Sequence, residues 1–414
     1  MTTSLNPPKK SLKTLVKLKY THIQVVIMQK ETLAAIRSNC LCSDAQLYVN
    51  LPSAIAEFDY VSLYCHEKKL NPLDPIIGEE YEKWKSDKKA AWKELAGKYG
   101  EMKGNELVMP AEPIPVGCEN INPIDVNAIN EYLNKEGKAY ILDIVRPGKA
   151  EFLLADLNKH EKLLGRDVYL LGNEQERTVL LSFAYVGGYL EEANTVFVRE
   201  GCLTSQFYDL VSMARNPRPY KLDKKAAVMV SEVLEAIGVD SGKPVESISG
   251  ELDAAGRRFA EGVLKHEEAH LRHNDGNILK TNKVMEALGM DFSDSASIGF
   301  CRALEDMIAD THPEGRLNYY MAKKDAGSVY FFDYGLQNGG GPLAVQKKLM
   351  KNYGASRNAF RKKSDWNALK SAVGKDYAYA LELAKQLNKV AALDAGGLEK
   401  MDLFRKRVVA PALR

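Results

Sequence analysis

Long apolar runs are missing from this chain. No stretch approaches the roughly 20 residues that a membrane-spanning helix needs, so no membrane insertion is expected. A dominant sign of charge is missing too: 57 Lys and Arg stand against 55 Asp and Glu, and a net +2 gives no specific nucleic-acid signal. Cysteine is scarce. Six thiols in 414 residues, at Cys40, Cys42, Cys65, Cys118, Cys202 and Cys301, make no disulfide framework, and reduced cysteines are expected. The spacing of Cys40-Leu41-Cys42 and Cys65-His66 matches no common zinc module, which leaves buried free thiols as the expectation there. The N-terminus lacks a signal-peptide layout, because its lysines are spread from Lys9 to Lys19 and the apolar stretch that follows is short and broken. A cytoplasmic or virion-associated location is therefore expected. Residues 125–215 contain no phosphate-binding glycine loop, no nucleophile elbow and no internal repeat.

What is present is His266-Glu267-Glu268-Ala269-His270, an HExxH pattern. On a helix, side chains four apart share a face, so both imidazoles can bind one Zn²⁺ while Glu267 stands beside the open coordination position. Five residues alone are a loose signal, and the context decides. Leu252, Ala255, Phe259 and Val263 step by three or four and continue directly into His266, His270 and His273, so an apolar stripe runs into the histidines. Asn274-Asp275-Gly276 supplies a helix stop. His66-Glu67 also opens with His-Glu, but Leu70 holds the place of the second histidine and the pattern fails there.

A zinc peptidase needs a third protein ligand. The run Ile298, Cys301, Leu304, Ile308 has helical spacing, is preceded by the capping cluster Ser293-Asp294-Ser295 and stops at His312-Pro313-Glu314-Gly315. Asp291-Phe292-Ser293-Asp294-Ser295 also fits the letters of a von Willebrand-type metal motif, but no β-run precedes it, and capping is the reading adopted. Within the helix two arguments point to different acids. Phase about Leu304 favours Glu305, at about 100° from the apolar centre against about 200° for Asp306. Asp306, however, has Asp310 four residues on, placed to accept the N–H of a ligating histidine from the second shell. The second argument weighs more in an active site, so the expected ligands are His266, His270 and Asp306, with Glu305 as the alternative. A metzincin would require histidine ten residues after His266, where Gly276 stands. His273 lies too close along the same helix to be an easy third ligand. His312, Tyr319, Tyr320 and Arg316 are candidates to stabilise a developing oxyanion.

These residues carry a resemblance. The HExxH, followed by Leu304-Glu305-Asp306-Met307-Ile308-Ala309-Asp310 and then Pro313-Glu314-Gly315-Arg316-Leu317-Asn318, resembles the metallopeptidase-like region of the cobaltochelatase T-subunit family and its phage-encoded relatives. Those proteins carry an HExxH, a "LEDARIE"-like helix and a "PG" stretch, and related predicted peptidases coupled to von Willebrand-type domains have an acid at the place of Asp306. The spacing of Asp306, Ala309 and Asp310 is also similar to the ExxAD signature of membrane-embedded zinc peptidases, whose ligand is Glu. The likeness covers roughly residues 255–325. It departs where the family's "AR" is Met307-Ile308, where its last Glu is Asp310, and in having no membrane spans.

Together these observations predict an α+β, mostly helical protein whose zincin-like HExxH helix and ligand helix lie in the C-terminal half. Residues 1–109 are expected to form an α/β region with a strand over 21–28 and a charged helix over 79–104. The four prolines between Pro110 and Pro123 read as a linker, and 110–220 as mixed α/β material. The metal-site domain spans 221–335, with a strand over 327–332, and a glycine joint at 339–341 leads to helices over 336–414. The expected activity is zinc-dependent hydrolysis of a peptide bond in a protein or peptide substrate, with Glu267 as general base. The resemblance also allows a non-proteolytic adaptor that retains the metal site in a phage or chelatase-like assembly.

Overall fold

The computed structural model describes residues 12–70, 78–144, 150–180, 186–190, 194–216, 222–275, 278–279, 281–290 and 295–413, with the side chains of 12–29, 58, 143, 144, 150, 190, 273–275 and 295 left out. The described chain is mostly helical with a small amount of sheet, an α+β protein. It divides into two compact units: residues 1–70, 76–158 and 171–185 form the first, and 71–75, 159–170 and 186–414 the second.

In the first unit, helix α1 (Leu12–Asn50) runs without a glycine or proline and stops just before Leu51-Pro52, where the residue preceding proline is driven out of helical geometry. The strand expected over 21–28 is therefore helix. Its β-branched residues carry only a weak preference, which an unbroken helix overrides once flanking turns are formed. Helices α2 (Glu57–Lys68) and α3 (Gly78–Tyr99) pack Tyr60, Tyr64, Tyr81 and the fully buried Trp92 with Leu47 of α1 into one core. Hairpins β1 (Glu101–Lys103) with β2 (Glu106–Val108), and β3 (Ile114–Val116) with β4 (Glu119–Ile121), follow.

A polar seam on α1 holds these hairpins. Asn39 bonds the backbone of Glu112 in both directions (2.9 and 2.7 Å), Gln46 donates to the Met109 carbonyl (3.2 Å), and Asn50 bonds Leu107 in both directions (2.7 and 2.9 Å). Each asparagine thus satisfies an amide pair that a short, edge-poor hairpin would otherwise leave to water. The proline-rich stretch expected as a linker is, accordingly, an ordered part of this unit. Helix α4 (Val126–Leu133) precedes β5 (Lys138–Ile144), which pairs antiparallel with β6 (Ala150–Leu163) from Lys138 opposite Asp156 to Ile144 opposite Ala150. The 171–177 part of β7 (Arg166–Arg177) completes the sheet of this unit.

In the second unit residues 159–163 of β6 and 166–170 of β7 lie in a sheet with β9 (Thr195–Arg199) and then β8 (Gly187–Leu190), an antiparallel pair with β8 at the edge. Helices α5 (Glu200–Arg215), α6 (Lys224–Ala236) and α7 (Ser249–Asp275) follow, then α8 (Thr281–Ala287), α9 (Ser295–Thr311), α10 (Arg316–Lys323), α11 (Ala326–Asn338), α12 (Pro342–Leu349), α13 (Lys351–Lys363), α14 (Trp366–Ala391), α15 (Gly397–Phe404) and α16 (Ala410–Leu413). Helix α7 is the axis of the unit: α5, α9 and α10 pack on it, and β8 and β9 run beside it. Two glycines allow these approaches. A Cβ on Gly256 would stand 2.2 Å from the Thr204 hydroxyl of α5, and one on Gly262 would stand 2.0 Å from the Tyr320 ring of α10.

The strand expected over 327–332 lies inside α11. Asp325 caps that helix, accepting the Ser328 N–H at 3.1 Å, and Val329, Phe332 and Leu336 are buried at helical spacing. A four-residue apolar run fits a strand and a buried helix equally well, and the cap upstream decides. Between α11 and α12 the joint is a turn with Gly341 in the left-handed region, and Pro342 opens the next helix. Among the described residues no helix is long and apolar enough to cross a membrane.

Candidate metal centre

The apolar stripe of α7 is buried at Leu252, Ala255, Phe259 and Val263, and it continues into His266 and Glu267, which are buried as well. Helix α9 crosses α7 and buries Phe300, Ala303, Leu304, Met307 and Ile308. Its acids fall on different faces. The Asp306 carboxylate lies among the imidazoles: its Oδ1 is 3.8 Å from His266 Nε2 and 3.6 Å from His270 Nε2, and the two Nε2 atoms are 2.9 Å apart. The circle through these three atoms has a radius of about 2.0 Å, which is the length of a Zn–N or Zn–O bond. Among the described residues this is the group of His, Cys, Asp and Glu ligand atoms that converges tightly enough to hold a metal ion.

Glu305, the alternative ligand, lies outside that triad and stands 3.9 Å from the Arg302 guanidinium. Helical phase about Leu304 pointed to Glu305 because the densest apolar packing lies there. The crossing of α7 and α9 instead offers Asp306 to the histidines.

Asp310 is fully buried, and its Oδ1 is 2.6 Å from His266 Nδ1. An acceptor at Nδ1 fixes the tautomer and leaves Nε2 with a lone pair aimed at the triad. Two further donors hold the same carboxylate: Arg316 at 2.7 Å from Oδ1 and Gln346 Nε2 at 2.6 Å from Oδ2. Burial alone would push the Asp310 carboxyl up, but the charges and hydrogen bonds of Arg316 and His266 outweigh it and hold the group well below the usual carboxylate range. The Arg316 guanidinium lies over the Phe332 ring at 4.7 Å, so an aromatic face supports a cation that water scarcely reaches.

The turn that delivers Arg316 depends on glycine. A Cβ on Gly315 would stand 2.0 Å from the Ala309 carbonyl, and only a residue without one lets α10 start so close to the end of α9. The Pro-Glu-Gly-Arg sequence is thus a tight reversal that returns Arg316 to the acid six residues before it.

Burial raises the carboxyl of Glu267; the neighbouring His266 and His270 oppose that shift and Asp306 adds to it. For His270 burial lowers the pKa, but the facing Asp306 carboxylate, together with the negative charges of Glu267 and Glu305, carries it up to about 9. Several carboxylates thus surround two imidazoles whose nitrogens point at each other, an environment that favours a cation at their centre. The residues fit a divalent metal with a nitrogen and oxygen donor set.

Other expected participants lie elsewhere. The Tyr320 hydroxyl is buried and donates to the Phe259 carbonyl at 3.0 Å, and the Tyr319 hydroxyl donates to Glu261. Neither reaches the triad, because each is used within the α7–α10 packing. His312 accepts the Glu314 N–H at 3.1 Å and packs edge-on against Tyr377; with Leu164, Arg272 and Glu314 it lines a shallow surface cleft. Arg316 pairs with Asp310 at 2.7 Å. The side chain of His273, the end of the helix stop at Gly276 and the cluster 291–294 lie outside what the structure describes. None of the six cysteines is in a disulfide, and among the described residues the group that could hold a metal ion does not include Cys40, Cys42, Cys65 or His66.

Two contributors escaped sequence reasoning. Gln346 is a lone amide on a helix 36 residues beyond Asp310, and nothing in its neighbourhood marks it. Gly187, on edge strand β8, leaves room at the Glu267 carboxylate: a Cβ there would come 3.2 Å from Oε1 and 3.1 Å from Val263.

No curated protein and no solved structure matches this chain. Residues 31–199 match the N-terminal domain, and residues 223–407 the C-terminal domain, of the family of unknown function DUF6866. The two matches together span most of the chain, which belongs to that family.

Proposed function

We propose that this protein is a zinc-dependent peptidase. One observation carries the reading: two imidazole nitrogens and the Asp306 oxygen converge at zinc-ligand spacing, and the carboxylate of Glu267, on the same helix turn, is raised by burial. His266, His270 and Asp306 would hold the ion. A zinc ion bound there acidifies water and polarises a substrate carbonyl.

The chain's own residues supply the proton traffic and the orientation. Glu267 takes a proton from attacking water on its carboxylate and delivers it to the departing amine nitrogen. A raised pKa brings its proton affinity closer to neutrality, where such transfer is efficient. Asp310 holds His266 in the tautomer that presents Nε2, and Arg316 and Gln346 hold Asp310.

A peptide substrate is favoured by the neighbouring sheet. Strand β8 is paired by β9 on one side, and no described strand pairs with its other edge. Its Gly187 lies against Glu267, so an extended peptide added to that edge would bring its backbone to the base. The test is removal and return of metal: protein stripped with a chelator should lose cleavage of an unfolded protein substrate and regain it with about one equivalent of zinc. Cleavage unchanged by complete stripping would overturn the proposal.

A further inference from the structure

The near-neutral net charge conceals a segregation. Residues 336–414 hold sixteen Lys and Arg against six Asp and Glu, a net of +10, so the other 335 residues together carry −8. Within α12, α13 and α14 arginine and lysine are used differently. Arg357 and Arg361 turn inward onto the buried Asp333 at 3.3 and 2.9 Å, and Arg361 also reaches Glu232 at 2.6 Å. The lysines stay outside. Lys370, Lys375, Lys385 and Lys389 are all exposed on α14, and at about 100° per residue they fall within roughly 140° of arc, opposite the buried face formed by Leu369, Val373, Ala380 and Leu387. They span about 28 Å of helix at 1.5 Å per residue.

Five more exposed lysines, Lys347, Lys348, Lys351, Lys362 and Lys363, lie on α12 and α13. Asp376 caps α13 by accepting the N–H groups of Asn352 (3.1 Å) and Tyr353 (2.7 Å), which brings Lys351 alongside the turn of α14 that carries Lys375. Among the described residues none of these nine lysines pairs with a carboxylate. Two exposed acids interrupt the surface, and both are occupied locally: Asp365 caps α14 and Glu382 accepts from Gln386.

We propose that this lysine surface docks duplex nucleic acid, gripping its phosphates without reading its sequence. Flexible ammonium groups suit phosphates as point charges, and such contacts position a duplex without specifying bases. A duplex presents one negative charge per about 1.7 Å of axis, a density that a 28 Å row of unpaired lysines can neutralise in part by releasing counterions. Of the exposed positions between the lysines, Ser371, Gly374 and Ala378 are small, and Glu382 is the one acid. A lipid surface would call for exposed apolar side chains to insert, and single strands for exposed rings to stack on; the apolar and aromatic side chains nearest this face, Leu381, Tyr377 and Tyr379, are partly buried and none is exposed. The inference is independent of the metal centre, whose residues it does not use.

The test is fluorescence anisotropy of a labelled random-sequence 20-base-pair DNA duplex with the full-length protein across a salt series. With four phosphate contacts the slope of log K against log salt should be near −3.6, so affinity should fall about a hundredfold between 50 and 200 mM salt. The K370E/K375E/K385E/K389E variant should bind at least about tenfold more weakly at low salt and with a shallower slope. Reversal of four other exposed lysines, Lys103, Lys135, Lys225 and Lys283, should change affinity less than threefold, and matched circular dichroism spectra would establish that all three proteins are folded. The proposal is overturned by no binding at 50 mM salt, by equal losses in both variants, by tighter binding to the single strand, or by capture on phosphatidylserine vesicles that the duplex cannot displace.

Discussion

Two buried aspartates illustrate how location sets the role of one residue type. Asp310 is ionised because Arg316, His266 and Gln346 more than repay its desolvation, and a lowered carboxyl pKa contributes stability that is present above the unfolded value of about 3.9 and is lost as pH falls through the folded value. Replacing Asp310 by Ala strands the Arg316 charge, and the expected cost is about 3–5 kcal/mol of folding stability by urea denaturation. The milder Asp310→Asn should weaken zinc affinity about 10- to 100-fold in calorimetric titration, since the amide supports His266 less firmly. Asp44, buried in the first unit, accepts the Val179 N–H at 2.8 Å, and burial raises its pKa to about 8. The sign is opposite: its contribution is present below about 3.9 and lost as pH rises toward 8. Urea midpoints should therefore decline from pH 5 to pH 8.5, and Asp44→Asn should flatten that decline; an unchanged slope would show that Asp44 does not titrate in this range. The sequence revealed His266, His270, Asp306 and Asp310 because helical spacing places them on interpretable faces. Gln346 and Gly187 stayed hidden because tertiary contact, 36 residues after Asp310 and 80 before Glu267, is all that joins them to the site.

At the scale of elements, the group that could hold a metal ion is where α7 and α9 cross, and glycines set how closely the neighbours approach. Gly262→Ala should favour α7 by about 1 kcal/mol on helix propensity alone. The Tyr320 ring, 2.0 Å from the added Cβ, reverses that expectation, and thermal melting should show a clear loss of stability. Gly315→Ala should displace Arg316 from Asp310 and lower zinc affinity together with stability, because the Ala309 carbonyl leaves no room. A variant melting at or above the parent temperature would contradict the packing described here. The long periodic helix α7 was legible as sequence, and the helical character of residues 336–414 was expected. The errors share one cause: the runs 21–28 and 327–332 are apolar or β-branched over too few residues to reveal a period. What made them helix was an unbroken stretch in α1 and the Asp325 cap in α11.

For the whole molecule, the overall charge misled where its distribution informs: a net of +2 combines a basic C-terminal region with an acidic remainder. Matches to both domains of one family span most of the chain, yet the chemistry proposed resides in the second unit alone. Hydrolysis should therefore survive reversal of the α14 lysines on a small unfolded substrate, which a fluorogenic peptide assay would check. The most direct measurement is of new N-termini in a mixed proteome incubated with zinc-loaded protein or with its Glu267→Gln variant. Both should bind one zinc per chain, and only the parent should generate new termini, with the variant slower by at least about a hundredfold. An identical set of termini from both proteins, or none from the zinc-loaded parent, would contradict the peptidase.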